Sequence, residues 1–183
     1  MTLTHPLDGC HRMSYTILVP LKKKAMLGML NTHEIESVIH QQLIARLGCY
    51  ADGKVYVVPV SYAYDGEFIY AISGDGMKVN MMRKNPSVCL QIDDMQNMSS
   101  WQSVIIWGEF EELTKAEDRN VALRILMSRI VPNFSSELIR ISPQWPFPEE
   151  HPEAIKGVVY RIRISEKSGR FEKMPAEEYF ASF

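Results

Sequence analysis

The sequence has few cysteines and no excess of basic residues, and both shortages narrow the possible functions. Its 183 residues include three cysteines, Cys10, Cys49 and Cys89. Their spacing fits neither a metal-binding motif nor a disulfide framework, and an odd number of thiols is typical of a reducing cytoplasm. Lys and Arg number 20 against 22 Asp and Glu, a formal net charge of −2. Without a basic stripe, no binding to nucleic acid is expected.

Long apolar runs and short catalytic motifs are also missing. The apolar run at 15–21 is too short to cross a bilayer, so no membrane segment is expected. There is no glycine-rich dinucleotide fingerprint, Walker loop, nucleophile elbow or His-Glu-x-x-His motif. The five histidines are scattered, and the adjacent Asp93 and Asp94 are more typical of a solvated turn than of a cation site. No metal is therefore predicted.

What the sequence does contain is a series of strand patterns with a few helical ones between them. β-branched and aromatic residues predict strands at about 44–50, 55–64, 67–72, 88–92, 102–113 and 158–164. Helical patterns cover about 31–43, 78–84 and 114–131. Because helical crossovers between successive strands are mostly missing, the order predicts an antiparallel barrel rather than a doubly wound sheet.

Individual residues refine this fold prediction. Asn31 and Glu34 form a candidate capping box at the start of the first helix. Gly108 predicts a bend or bulge inside a long strand, and Ser168-Gly169 predicts a turn into a polar tail. We expect an arm over 1–27, one barrel domain over 28–170 and a tail over 171–183.

The segment from Ser73 to Lys78 is a candidate anion site. It contains Gly74 and Gly76 and leads directly into the short helix. Backbone N–H groups at a helix start, together with the Lys78 ammonium, can bind a phosphate. A plain solvated turn is the commoner interpretation of such a sequence. The residues alone leave the choice open.

Five segments carry a resemblance to a known family. They are Val57-Val-Pro-Val-Ser-Tyr-Ala-Tyr-Asp-Gly66, Phe68-Ile-Tyr70, Gly76-Met-Lys78, Met82-Arg-Lys-Asn-Pro-Ser-Val-Cys-Leu-Gln-Ile-Asp93 and Trp101-Gln-Ser-Val-Ile-Ile-Trp-Gly-Glu-Phe-Glu-Glu-Leu113. In this order the chain resembles the pyridoxamine 5′-phosphate oxidase-like family of FMN-binding split barrels, and within it the Nim-type nitroimidazole-resistance branch. The resemblance implies a mainly β fold with flanking helices, an antiparallel split β-barrel.

The resemblance also implies where FMN binds. The candidate cofactor-binding residues are Val58, Pro59, Val60, Ser61, Ile72, Ser73, Met77, Lys78, Ser103 and Trp145. The backbone from Val58 to Ser61 would line the flavin ring, and Ile72 and Ser73 would lie where the next strand meets the cofactor. Lys78 would bind the FMN phosphate, with Ser103 near the phosphate and the ribityl chain.

The family is typically homodimeric, with FMN in a groove between subunits, and this implies a role for the proline-rich loop around Trp145. That loop would cover the flavin of the partner subunit. An ordinary surface loop packed on its own subunit is an equal alternative.

Two departures from the family pattern affect the predicted chemistry. Many relatives carry a histidine near the position of Ile72, and many carry an arginine where this chain has Met77. Since Ile72 cannot titrate or donate a hydrogen bond, no catalytic residue is predicted. The expected function is a cytoplasmic FMN oxidoreductase that passes electrons from reduced nicotinamide to a small planar substrate, either nitroimidazole reductase-like or pyridoxamine phosphate oxidase-like. The alternatives are a non-catalytic flavin carrier or sensor, and a barrel that binds another planar ligand such as haem.

Overall fold

The structure is a computed structural model that describes residues 26–130 and 156–173, with the backbone only for Ile130. Within these residues there are seven strands and three helices. In chain order they are β1 Met26–Met29, α1 Thr32–Gln41, β2 Ile44–Ala51, β3 Lys54–Tyr64, β4 Phe68–Ser73, α2 Met77–Lys84, β5 Ser87–Asn97, β6 Ser100–Glu112, α3 Ala116–Ile130 and β7 Val158–Lys173.

The strands form one antiparallel sheet that closes on itself. Their order is β1-β7-β4-β3-β2-β5-β6, and β6 also pairs with β7. The closure makes a six-stranded ring, with β1 as an extra strand against the end of β7. The ring is incomplete at β3, because 54–61 pair with β2 alone and only 62–64 pair with β4. The predicted split barrel with flanking helices is confirmed.

Local sequence signals set the bounds of these elements. The first helix has the predicted capping box, with the Glu34 amide donating to Asn31 Oδ1 at 3.0 Å and the Asn31 amide donating to Glu34 Oε2 at 2.8 Å. At the β2–β3 hairpin, Asp52 has φ 51° and Gly53 has φ 75°. Two consecutive positive φ angles are what a tight hairpin turn requires, and Asp-Gly adopts them readily.

Two apolar clusters hold the fold together. The larger fills the barrel and is closed by α1 and α2, with fully buried side chains such as Ile39, Leu47 and Ile106. The smaller lies between α3 and the outer side of β4 and β7, where Leu123 packs near Tyr70 and Val159. Among the described residues, no helix has the length and apolar character needed to cross a bilayer.

The strand β7 is longer than the sequence indicates. It continues without a turn through Ser168 and Gly169 to Lys173, so the turn predicted there is wrong. The glycine has a packing role instead: a Cβ at Gly169 would lie 2.8 Å from side-chain atoms of Leu30 and Ile35. With β1 and β6 paired on its two sides, the sheet extends beyond the 28–170 range on both ends.

Candidate functional site

The N-terminus of α2 presents unused hydrogen-bond donors next to a positive charge. Its N-cap residue, Gly76, has extended backbone and no side-chain cap. Lys78, in the first turn, is half-buried, and its ammonium has no hydrogen-bond or ion-pair partner among the described residues. Burial lowers the pKa of Lys78, an effect that the nearby Cys49 thiol partly opposes. A desolvated cation beside free amide groups favours an anion.

Two buried hydroxyls lie close to this helix start. Ser73 on β4 and Tyr160 on β7 are diagonal neighbours, since Ser73 registers with Val158. Neither side-chain oxygen has a hydrogen-bond partner of acceptable geometry among the described residues, although both are fully shielded from solvent. Burial raises the pKa of Tyr160, and the nearby Ser73 hydroxyl lowers it, so the two groups are neighbours. The two hydroxyls therefore lie side by side near the start of α2, shielded from solvent.

These four residues, Ser73, Gly76, Lys78 and Tyr160, are called the helix-start site below. The helix that carries Lys78 is held firmly from its other end. The Arg83 guanidinium donates to both carboxylate oxygens of Glu112 on β6, at 2.7 and 2.9 Å, and to Asp75 at 2.9 Å. These contacts fix both α2 and the turn that precedes it, which positions Lys78.

The predicted flavin-lining segment lies along the gap in the barrel. Over 54–61, β3 has no strand partner on the side away from β2 among the described residues, so backbone groups of Val58 to Ser61 are available on that edge. Val60 is buried and Val58 packs against the core, whereas Pro59 and Ser61 are exposed. A ligand at this strand edge can therefore contact the free backbone groups of the segment and the side chains of Pro59 and Ser61.

A second group of predicted and unpredicted residues lies on the outer face of the sheet. A cavity of about 510 Å³ is lined there by Asp93, Trp101, Ser103, Ile105, Ser168 and Arg170 among others, and is called the outer pocket. Ser103 donates to Asp93 Oδ1 at 2.5 Å, and Arg46 donates to Asp93 Oδ2 at 2.7 Å. The Asp93 carboxylate is 11 % exposed and balanced by Arg46.

An adjoining cavity of about 450 Å³, called the apolar groove, shares Gln91 and Ile105 with the outer pocket. Other residues of its lining are Tyr50, Val55, Val57, Cys89 and Trp107. Val55 and Val57 are 73 % and 58 % exposed. Together, the two cavities form one continuous depression along β5 and β6, open to solvent in a single copy of the chain.

Within one chain, Ser103 and Lys78 do not meet. Lys78 lies near Cys49, whose register partner on β5 is Val88, while Ser103 is opposite Asp93. Val88 and Asp93 are five residues apart on β5, which is about 17 Å at the usual rise of a strand. Cys49 also points into the barrel, whereas Ser103 lines the outer pocket. Lys78 and Tyr160 both lie near Cys49, whereas Ser103 lies on the other face of the sheet.

Of the remaining predicted residues, Ile72 is half-buried and packs against the cluster under α3, and Met77 is 58 % exposed. Trp145 lies outside the described residues, so its contact with flavin stays a prediction. Sequence reasoning missed Tyr160, because only strand pairing places its hydroxyl near Ser73. It also missed Asp93 as a partner of Ser103 and Arg170 as a pocket residue, since both depend on the register of β5, β6 and β7.

Comparison with known proteins agrees with this fold. The sequence profile described as "Pyridoxamine 5′-phosphate oxidase" matches residues 31–171. The chain belongs to the pyridoxamine 5′-phosphate oxidase-like family. A FAD-binding protein from Mesorhizobium loti has 30 % sequence identity and a TM-score of 0.62, covering 82 % of this chain and 100 % of its own.

Two further proteins resemble this chain. A candidate 5-nitroimidazole antibiotic resistance protein from Bacteroides thetaiotaomicron has 21 % identity and a TM-score of 0.63, covering 82 % of this chain and 90 % of its own. At that identity the likeness shows the fold alone. An uncharacterized protein of Rhizobium meliloti is 29 % identical over 149 residues, which is 78 % of this chain and 93 % of the relative. The Nim branch is not singled out among these relatives, and the chain is similar to flavin-binding proteins more broadly.

Proposed function

We propose that this protein is a flavin-dependent oxidoreductase that binds the flavin phosphate at the helix-start site. The observation that carries the proposal is the Lys78 ammonium, half-buried at an uncapped helix start, without an anionic partner among the described residues. A half-buried ammonium without a counter-ion is partly desolvated at a cost in free energy, and a bound phosphate would offset that cost.

FMN is the proposed cofactor, and FAD is the alternative because the Mesorhizobium loti relative is described as FAD-binding. A bound flavin supplies the hydride and electron transfer, while the protein supplies positioning and exclusion of water. The open edge of β3 offers backbone groups to the flavin ring, and Lys78 with the α2 amides holds the phosphate. Arg83 keeps those amides in place through Glu112.

The substrate is proposed to be small, planar and oxidised, reduced at the expense of a nicotinamide donor. The described histidines, His33 and His40, both lie on α1, so we assign no histidine to proton transfer at the helix-start site. A nitroimidazole-like substrate would suit a site whose chemistry comes from the flavin. A cytoplasmic location is proposed because Cys49 and Cys89 are both free thiols.

The decisive measurement of this function is the absorption spectrum. Purified protein is expected to be yellow, and its flavin band to bleach under nitrogen when reduced nicotinamide is added. Yellow protein that is inert to every nicotinamide donor would favour a flavin carrier or sensor. Colourless protein that takes up neither FMN nor FAD would overturn the proposal.

The position of the phosphate is tested by Lys78→Ala. Loss of the Lys78 ammonium should weaken FMN binding at least tenfold, since a charge-assisted hydrogen bond contributes about 1.5–3 kcal/mol. Lys84→Ala is the matched control, because Lys84 lies on the same helix, is exposed and pairs with Asp52 instead. Retention of a full complement of FMN by the Lys78→Ala protein would show that the phosphate binds elsewhere.

A further inference from the structure

Asp75 is a carboxylate that lies directly before a helix start and yet does not cap the helix. It is followed by Gly76, the N-cap residue of α2, and the first turn of that helix has no acidic residue and no side-chain cap. A carboxylate in this position is normally stabilised by the helix dipole and by the free amide groups. Asp75 instead accepts a hydrogen bond, at 2.9 Å, from the guanidinium of Arg83 near the other end of the same helix.

The Arg83 guanidinium can hold Asp75 because it is itself anchored to the barrel. Its Nε and Nη2 groups donate to the two carboxylate oxygens of Glu112, at 2.7 and 2.9 Å, and its Nη1 group donates to Asp75. Glu112 is the last residue of β6 and registers with Tyr160 on β7, so the anchor belongs to the closed part of the sheet. A planar guanidinium binds two carboxylates in fixed directions, which a lysine ammonium cannot do.

The position of Asp75 leaves the Lys78 ammonium without an anionic partner among the described residues. Burial and the Cys49 thiol shift the pKa of Lys78, and Asp75, three residues earlier in the chain, has no part in that shift. The Asp75 side chain is 61 % exposed and is turned towards Arg83. Without Arg83, the helix dipole and the Lys78 ammonium would attract this carboxylate, since both lie within one helical turn of it.

We propose that Asp75 is a competitor for the flavin phosphate, and that Arg83 keeps the helix-start site open by holding this carboxylate away. The inference rests on the proposed flavin function and adds a pair of residues that controls it. Arg83 is a positioning residue, because it acts through Asp75 and not on the phosphate. A phosphate would have to displace a released Asp75 carboxylate, so its apparent affinity would fall with the fraction of molecules in which the site is open.

The test compares FMN with riboflavin, because the two flavins differ only in the phosphate. Both are titrated into flavin-free wild type, Arg83→Gln, Asp75→Asn and the double variant, and the ratio of the two dissociation constants measures the phosphate contribution. Arg83→Gln should lower the preference for FMN by about threefold, the size expected for one exposed ion pair. Asp75→Asn removes the competitor, so the double variant should return to within about twofold of wild type.

Two further variants make the test specific. Arg163→Gln is the matched control, because Arg163 also pairs with a carboxylate, that of Glu109 at 2.8 Å, but between β6 and β7. Its preference for FMN should equal that of wild type. Arg83→Lys keeps the charge without the fixed fork, so its preference should lie between those of wild type and Arg83→Gln. Urea unfolding verifies the fold of each variant, and Arg83→Lys with and without Asp75→Asn decides the question if Arg83→Gln does not fold.

A purely structural role of Arg83 predicts different results. If Arg83 only holds the helix through Glu112, both flavins should weaken together, or the double variant should stay as weak as Arg83→Gln. Either result overturns the proposal, and so does an Arg83→Gln protein with the wild-type preference for FMN, while the proposed function stands in all three cases. A wild type that binds neither flavin, or both equally, would contradict the proposed phosphate site and this inference together.

Discussion

At the scale of single residues, one network ties α1 to the barrel through a carboxylate. Glu36 accepts hydrogen bonds from Lys167 of β7 and from the Tyr64 hydroxyl of β3, the latter at 2.8 Å. Lys167 Nζ also lies 3.0 Å from the Tyr64 hydroxyl. The three groups belong to three different elements, so their pairing fixes the position of α1 on the barrel.

This network makes stability depend on pH in a defined direction. Burial raises the pKa of Glu36, but the hydrogen bonds from Lys167 and Tyr64 outweigh it and the net pKa is lowered below 4.5. A carboxylate with a lowered folded-state pKa stabilises the fold fully above its unfolded pKa, and that contribution disappears as the pH falls through the lowered value. Glu36→Gln should therefore be less stable than wild type above about pH 5.5, with a difference that shrinks towards acid pH.

Urea unfolding at a series of pH values measures this difference. Glu67→Gln is the control, because Glu67 is an exposed carboxylate in the turn between β3 and β4, with no side-chain partner among the described residues. It should follow the wild-type curve. A gap between Glu36→Gln and wild type that stays constant at every pH would contradict the role of the Glu36 charge.

At the scale of elements, the long strands are bent where the sequence places glycine. The register of β6 against β7 shifts between Trp107 and Gly108, which confirms the predicted bulge. A Cβ at Gly108 would lie 2.5 Å from the Arg163 carbonyl oxygen and 2.7 Å from Ile162 Cγ2. The neighbouring backbone of β7 leaves no room for a side chain there, so the bend requires glycine.

Gly108→Ala should consequently destabilise the protein by about 1–3 kcal/mol, the usual cost of overpacking a filled interior. Gly74→Ala provides the comparison, since a Cβ at Gly74 would meet nothing within 4 Å. Chemical denaturation of the two variants is the measurement. Equal midpoints for both would mean that β7 moves aside easily and that the bulge is soft.

The elements also show what the sequence can and cannot predict. Strong local signals correctly predict two structures: the Asn31–Glu34 box predicts the first helix, and Asp52-Gly53 predicts the β2–β3 hairpin. Both structures depend on residues that are neighbours in the chain. The turn predicted at Ser168-Gly169 failed because Gly169 is required by its contact with Leu30, a residue far away in sequence. Lys78 can be identified from the local sequence because it lies at a helix start. Tyr160 and Arg170 reach their positions only when distant strands pair.

At the scale of the whole molecule, the outer face of the sheet is unusually apolar for a surface in contact with water. The apolar groove exposes Val55, Val57 and Trp107, the last at 41 %. Val58, the neighbour of Val57 on β3, packs against the core. A contiguous apolar face with a polar pocket at one end is typical of an interface. Lys78 and Ser103 are far apart in one chain. A second copy bound to this face would allow Lys78 of one subunit and Ser103 of the other to form one flavin site.

We therefore expect a homodimer with flavin bound between the subunits. Val57→Glu places a charge in the centre of the apolar groove and should convert the dimer to a monomer that remains folded but loses most of its FMN. Val121→Glu is the matched control, because Val121 is also an exposed valine, 52 % against 58 %, and lies on α3 away from this face. Light scattering measures the mass, circular dichroism the fold and absorbance the flavin content. A wild-type monomer that binds FMN stoichiometrically would contradict this assembly, since each chain would then hold a complete site of its own.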